Sequence, residues 1–189
     1  DYFTFYVPGY RFMPAYRNKI WDGKIRLFNL RNKLLYNGLI DHVIKFAKDR
    51  EYKIEYKSFP KVVNKYDKGD FERFARNLNL SIEPRDYQID AFLYAINHER
   101  CLLLSPTASG KSFIIYLLIR YYQQKVSNFK CLVIVPTTSL VAQMSSDFNE
   151  YAKDDSWNSA ENIHQIFQGR DKVSDRPIYI STWQSLYKL

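Results

Sequence analysis

Two cysteines in 189 residues leave no room for a disulfide framework. Cys101 and Cys131 each open a short apolar run and read as buried free thiols, which places the chain in a reducing, cytoplasmic compartment. The three histidines lie far apart, without the spacing of metal ligands. No apolar run exceeds the seven residues Phe113–Ile119. A membrane-spanning helix needs roughly 20, so no membrane span is expected. No secretory leader is visible. The chain opens on Asp1 instead of methionine and reads as an excerpt of a longer protein. It has neither an internal repeat nor a low-complexity tract.

What is present points to a globular protein: 46% of residues are hydrophobic and 17% aromatic. The length suits one large or two small domains. Charge is unevenly spread. Residues 1–80 hold seventeen Lys/Arg against nine Asp/Glu, whereas residues 81–189 hold eleven of each, so the whole net charge of +8 lies in the first part. That asymmetry suggests an attached module with a polyanionic partner, most simply nucleic acid. A solvated basic face kept for solubility is the alternative.

The sharpest motif is Ser105, Pro106, Thr107, Ala108, Ser109, Gly110, Lys111 and Ser112. It fits the phosphate-loop spacing G-x-x-x-x-G-K-[ST], with Ser105 in place of the first glycine. The apolar run Cys101–Leu104 before it reads as a strand. The pattern Phe113–Ile119 after it reads as a helix extending over about 110–124. Gly110 lets the backbone approach a phosphate that a side chain would block. Loop amides and the helix dipole favour an anion there. Lys111 reaches β- and γ-phosphates, and the Ser112 hydroxyl suits Mg²⁺, which prefers oxygen ligands. ATP and Mg²⁺ are therefore the expected cofactors, with Lys111 and Ser112 in the catalytic roles. An ordinary strand-to-helix turn with a chance Gly-Lys-Ser is the competing reading.

Residues 1–57 suggest a small α+β module. Between Tyr10 and Phe28, basic and aromatic residues interleave. Asp22-Gly23 signals a hairpin turn. Lys24–Phe28 then alternates as a half-buried strand, with Lys33–Tyr36 as its partner, closed by Asn37-Gly38. Arg11, Arg17, Lys19, Trp21, Lys24 and Arg26 are the candidate nucleic-acid contacts: cations meet phosphates and rings stack on bases. Trp21, Phe12 and Phe28 can equally be the core of a small sheet, and for single aromatics core is the better reading. Leu39–Arg50 has helical periodicity, and Lys53–Tyr56 reads as a short strand. Residues 58–69, with Pro60 and clustered Lys and Asp, read as a linker, so the domains are 1–69 and 70–189. Asp70 is placed to cap a helix running to about Leu78.

In the second part, Pro84 suits a helix start, with Tyr87, Ala91, Tyr94 and Ala95 near one face. Gln88 has an amide able both to donate to and accept from an adenine edge. Lys130–Val135 reads as a fully buried strand that hands over at Thr137 and Thr138 to another helix. Asp147, Glu150, Asp154 and Asp155 form an acidic, solvated stretch. Pro177–Ser181 is a further strand. Strand, helix, strand, helix with short loops implies a parallel sheet wrapped by helices, with ligands beyond the strand ends.

Four segments in this order resemble superfamily-two helicases. Arg85-Asp-Tyr-Gln88 is similar to that family's adenine-reading Q motif. Ser105–Ser112 resembles its motif I, where a small residue often replaces the first glycine. Pro136–Gln143 matches the P-T-x-x-L-x-x-Q form of motif Ia, and Ser181–Ser185 resembles the motif Ib region. The amino-terminal stretches Tyr10–Pro14, Trp21–Leu27 and Gly38–Ile40 are similar to the front domain of a phage recombination-repair helicase.

The resemblance implies an α/β, RecA-like P-loop domain, incomplete here, with a parallel sheet and helices on both faces. It implies that Arg85 and Gln88 read adenine and that Thr137, Thr138 and Thr182 touch the nucleic-acid backbone without reading sequence. It further implies an ATP-driven, monomeric motor on forked, branched or single-stranded DNA in the host cytoplasm. No Asp-Glu-x-His or Asp-Glu-x-Asp motif, which would position Mg²⁺ and the attacking water, occurs in the 189 residues. The expectation is that these residues bind nucleotide and DNA while turnover belongs to a longer parent. A duplex translocase or restriction-type motor, a non-hydrolysing nucleotide sensor, and an RNA substrate all stay open.

Overall fold

The computed structural model describes residues 2–55, 65–98, 100–167 and 171–187. The chain separates into two compact units, Asp1–Phe59 and Pro60–Leu189.

The first unit runs β1 (Thr4–Tyr6), a 3-10 turn (Tyr10–Phe12), α1 (Pro14–Arg17), β2 (Lys24–Arg26), β3 (Phe28–Asn29), β4 (Leu34–Leu35), a second 3-10 turn (Asn37–Leu39) and α2 (Ile40–Lys48). Its strands do not pair as the turn signal suggested. The expected strand Lys24–Phe28 is split: β2 pairs antiparallel with β1, and only β3 pairs with β4. Asp22-Gly23 explains why. Asp22 accepts from the Lys24 amide at 3.1 Å, and the Gly23 carbonyl accepts from the Val7 amide at 2.9 Å. The turn therefore brings the chain back from a long excursion to β1 instead of reversing it on itself. Gly23 has φ +78°, and a β-carbon there would collide with the Tyr10 ring, so only glycine fits. Asn37-Gly38 belongs to the turn that starts α2 and does not close a hairpin. Residues 53–55 form no strand, and Tyr56 lies outside the described residues. Phe12 is not core: it is 76% exposed, whereas Trp21 and Phe28 are half-buried.

The second unit contains α3 (Lys68–Arg76), α4 (Asp86–His98), α5 (Lys111–Lys125), β5 (Cys131–Val135), α6 (Thr138–Tyr151), α7 (Ser159–Asn162), β6 (Ile163–Ile166), β7 (Ile178–Thr182) and α8 (Trp183–Leu186). Most of the expected linker falls on undescribed residues, but its end is helix. Asp67, not Asp70, caps α3. Asp67 accepts from the Asp70 amide while Asp70 accepts from the Asp67 amide, a reciprocal capping box.

All three strands are parallel, in the order β5-β7-β6. The connection from β5 to β6 runs through α6 and α7, as parallel pairing favours, whereas the described residues between β6 and β7 carry no helix. Val133, Val135, Ile163, Ile178 and Ile180 are buried in the same core as Val141, Met144 and Phe148 of α6. Phe113, Tyr116 and Leu117 join α5 to it, and a ring cluster of Phe71, Phe74, Phe92 and Tyr121 ties α3 and α4 to α5.

Three expectations are corrected here. β5 is not buried on both faces, since Leu132 and Ile134 are about half exposed, at 50% and 55%. Residues 101–104 form no strand, because no described strand pairs with them; Cys101 is exposed, and Leu102 and Leu104 are exposed with it. Asp155 is not solvated: it forms a largely buried ion pair with Arg120 at 2.6 Å. β6 went unrecognised because its four residues, Ile-His-Gln-Ile, offer too short a pattern to register.

Candidate functional site

Gly110 is the hinge of the loop between residue 104 and α5. It is the N-cap of α5 at φ +75°, and no side chain caps the helix there. The Phe113 amide already donates to the Gly110 carbonyl at 3.0 Å, so the Lys111 and Ser112 amides and the positive end of a 15-residue helix face the loop. Ala108 also adopts a left-handed backbone, φ +62°, which is costly for a residue with a β-carbon.

Two side chains of α4 hold the loop from outside. The Gln88 amide nitrogen donates to the Ser109 carbonyl at 3.1 Å, and its oxygen accepts from the Arg85 amide at 2.9 Å. Gln88 is buried, and its amide lies where a β-carbon on Gly110 would be. The Tyr87 hydroxyl also donates to the Ser109 carbonyl, at 2.9 Å, and accepts from Arg85 Nη1 at 3.4 Å. Tyr87 was read from the sequence only as part of a helix face. Its signal was its place beside Gln88, on the edge of that face.

Inside the loop, Ser109 Oγ bonds with Ser105 Oγ and donates to the Pro106 carbonyl at 2.8 Å. The Lys111 ammonium donates to the carbonyls of Pro106 at 2.7 Å and Ser105 at 3.3 Å, so it curls over the loop. Ser112 Oγ meets the Tyr151 hydroxyl at 2.8 Å. Arg85, Tyr87 and residues 102–109 line a cavity of about 760 Å³. The structure thus brings Arg85, Gln88 and Ser105–Ser112 into one place. Both ends of the Gln88 amide are already used by backbone, so it is a brace of the loop as it stands.

Thr137 is the N-cap of α6, accepting from the Leu140 amide at 3.4 Å, and Thr138 is exposed in the first turn. Val135 pairs with Thr182, so Thr137 and Thr182 lie at the carboxyl ends of adjacent strands. Thr182 is buried, and its hydroxyl caps α8. Any contact it makes there runs through backbone amides.

In the first unit, Arg11, Arg17, Lys19 and Trp21 line one open cavity of about 770 Å³. The three cations are exposed; Trp21 is fixed by donating to the Lys24 carbonyl at 2.9 Å. Lys24 turns away to lie 4.9 Å from the Tyr6 ring centroid. Arg26 is engaged by both carboxylate oxygens of Asp22. That contact, before any other cause, pulls the Asp22 carboxyl down to about 2. Among the described residues no group of His, Cys, Asp and Glu could hold a metal, and no helix is long and apolar enough to cross a membrane.

Residues 81–189 match the family described as type III restriction enzyme, res subunit, and residues 1–57 match the family described as DNA helicase UvsW, N-terminal. The chain is 36% identical over 197 aligned positions to the ATP-dependent DNA helicase uvsW of Enterobacteria phage T4. The match covers all of this chain and 38% of that protein. A crystal structure of the UvsW helicase from bacteriophage T4 superposes with a TM-score of 0.81 at 36% identity, over all of this chain and 68% of that one. A second T4 UvsW crystal structure gives 0.83 at 35% identity, with 39% of its chain covered.

Proposed function

We propose that this chain, which belongs to the UvsW family of helicases, supplies the nucleotide-binding and DNA-gripping parts of an ATP-dependent DNA helicase. The observation that carries the reading is the joint of Gln88, Tyr87 and Gly110: an uncapped helix start, a loop glycine that admits no side chain, and a neighbouring helix that fixes the loop. Loop amides and Lys111 would receive the phosphates, once the ammonium exchanges two carbonyls for phosphate oxygens. Arg85 would approach the adenine edge, and Gln88 would join it only by sharing the groups it now spends on the Ser109 carbonyl and the Arg85 amide. Mg²⁺ fits the donor set. Ser112 offers a hydroxyl oxygen, and a hard cation carried by phosphates needs few protein ligands. The ion would supply charge neutralisation at the phosphates.

Arg11, Arg17 and Lys19 would contact DNA phosphates, with Trp21 at the floor of their cavity. Thr137, Thr138 and the Thr182 amide would touch the strand at the motor's sheet edge. The whole protein would act as a monomer on forked, branched or single-stranded DNA. The match of residues 81–189 to a restriction-enzyme subunit supports a second reading, a motor that moves on duplex without separating strands. Fork unwinding by the parent decides between them.

The test is calorimetric titration of the chain with ATP and Mg²⁺, beside Lys111→Ala. Binding by the wild type and its loss, by tenfold or more, in Lys111→Ala is the expected result. Equal affinity in both would remove the nucleotide reading. A salt series of DNA anisotropy with the first unit, residues 1–59, and with the whole chain tests the second site. A steep slope for the first unit supports it. Binding by the whole chain alone moves the contacts to the motor motifs.

A further inference from the structure

Ser112 and Tyr151 meet across the seam between α5 and α6, hydroxyl to hydroxyl, at 2.8 Å. The pair is well supported. The Tyr151 ring packs on Phe113 at 4.9 Å and on Tyr116 at 5.6 Å between centroids. Ser81 Oγ bonds the carbonyls of Glu150 and Tyr151 at 2.7 and 3.2 Å, which pins the end of α6 to the segment leading into α4.

A serine hydroxyl has one proton and two lone pairs. To ligate a cation it must present a lone pair and send its proton elsewhere. A serine inside a helix commonly donates to the carbonyl four residues back. For Ser112 that residue is Ala108, which lies in the loop outside α5 at φ +62°. Tyr151 Oη is the acceptor the fold supplies instead.

We propose that Tyr151 is a positioning residue for the metal-binding oxygen: it accepts the Ser112 proton and so turns that oxygen's lone pairs toward Mg²⁺ carried on the nucleotide's phosphates. The proposal rests on the nucleotide reading above. It also gives α6 two tasks. Its start, at Thr137 and Thr138, lies at the sheet edge assigned to DNA. Its end, about 21 Å away by helix rise, holds the serine assigned to the metal.

The experiment measures ATP affinity of the whole chain as a function of Mg²⁺ concentration, from chelator to millimolar, for wild type, Tyr151→Phe, Ser112→Ala and the double variant. Phenylalanine keeps the ring packing; circular dichroism checks that the fold is intact. The expected result is a Mg²⁺ midpoint raised about three- to tenfold in Tyr151→Phe, the size of one lost hydrogen bond, with metal-free affinity unchanged. Tyr151→Phe should add nothing in the Ser112→Ala background, because the tyrosine acts through the serine. An unchanged midpoint overturns the proposal. So does an equal fall with and without Mg²⁺, or an effect that persists without the Ser112 hydroxyl. Wild type that binds no nucleotide at any Mg²⁺ concentration removes the nucleotide reading first and the proposal with it.

Discussion

Gln88 and Gly110 compete for the same space: the glutamine amide sits where a β-carbon of residue 110 would project, and Gly110 holds φ +75°. Alanine at 110 therefore meets two penalties, a collision and a left-handed backbone that costs about 1–2 kcal/mol for a residue with a β-carbon. Gly110→Ala is expected to weaken ATP binding by about tenfold or more, read by calorimetry. Adding Gln88→Ala should not restore affinity, because it clears the collision and at the same time removes the brace on the Ser109 carbonyl. Wild-type affinity in Gly110→Ala would detach the loop from the nucleotide.

Arg120 of α5 is buried and reaches Asp155 at 2.6 Å and the Tyr116 hydroxyl at 2.6 Å, with the Trp157 ring centroid 5.4 Å away. Removing one partner of such a pair strands a buried charge, at a cost of about 3–5 kcal/mol. Asp155→Ala is expected to lower the urea midpoint of the second unit sharply. Replacing both residues by apolar ones of similar size should cost much less. Equal small effects would mean that water reaches the pair.

The second unit was readable where chemistry is tied to spacing. Gly110, Lys111 and Ser112 sit at the start of α5 as the motif requires, and the P-T-x-x-L stretch does cap α6 at Thr137. Long-range pairing was not readable. Nothing near Lys24 says that its partner is Thr4–Tyr6 and not the nearer Lys33–Tyr36. That choice follows from Gly23 reaching Val7 and Tyr10, contacts thirteen and more residues away. Asp155 likewise sits in an acidic run, and only the fold brings it to Arg120. Tyr151 carried no signal because its partner is 39 positions away. The exposure of residues 101–104 departs from a well-patterned strand because a strand needs a ladder as well as a pattern.

The two thiols should differ in reactivity. Cys101 is exposed beside the phosphate loop, whereas Cys131 is partly buried in β5, where burial raises its thiol and reduces the thiolate fraction. One thiol per chain is expected to react quickly with a thiol reagent and the second only slowly, with Cys101→Ser abolishing the fast phase. Two slow thiols would show that residues 101–104 are covered in solution.

Arg26 is the candidate DNA contact least free to make one. Asp22 binds its guanidinium with both oxygens, and the carboxyl is lowered from 3.8 to about 2, with the Arg26 hydrogen bond as the first cause. A lowered folded-state value means that the pair stabilises the fold above the ordinary carboxylate range. That contribution fades as pH falls from about 4 toward 2. An NMR titration should place the Asp22 midpoint near 2 in the wild type and, in Arg26→Ala, moved up toward 3.8. The same pairing predicts an order of effects on DNA at pH 7. Arg17→Ala should weaken binding and lower the salt slope by about 0.7–0.9, as expected for one lost phosphate contact. Arg26→Ala removes no free phosphate contact and should weaken binding less than Arg17→Ala, only through the Asp22 carboxylate it leaves unpaired. Asp22→Asn should tighten binding and steepen the slope, because it releases a guanidinium to the phosphates. If Arg26→Ala costs as much as Arg17→Ala, the ion pair opens on DNA, and Asp22 is a latch on that arginine and not its permanent partner.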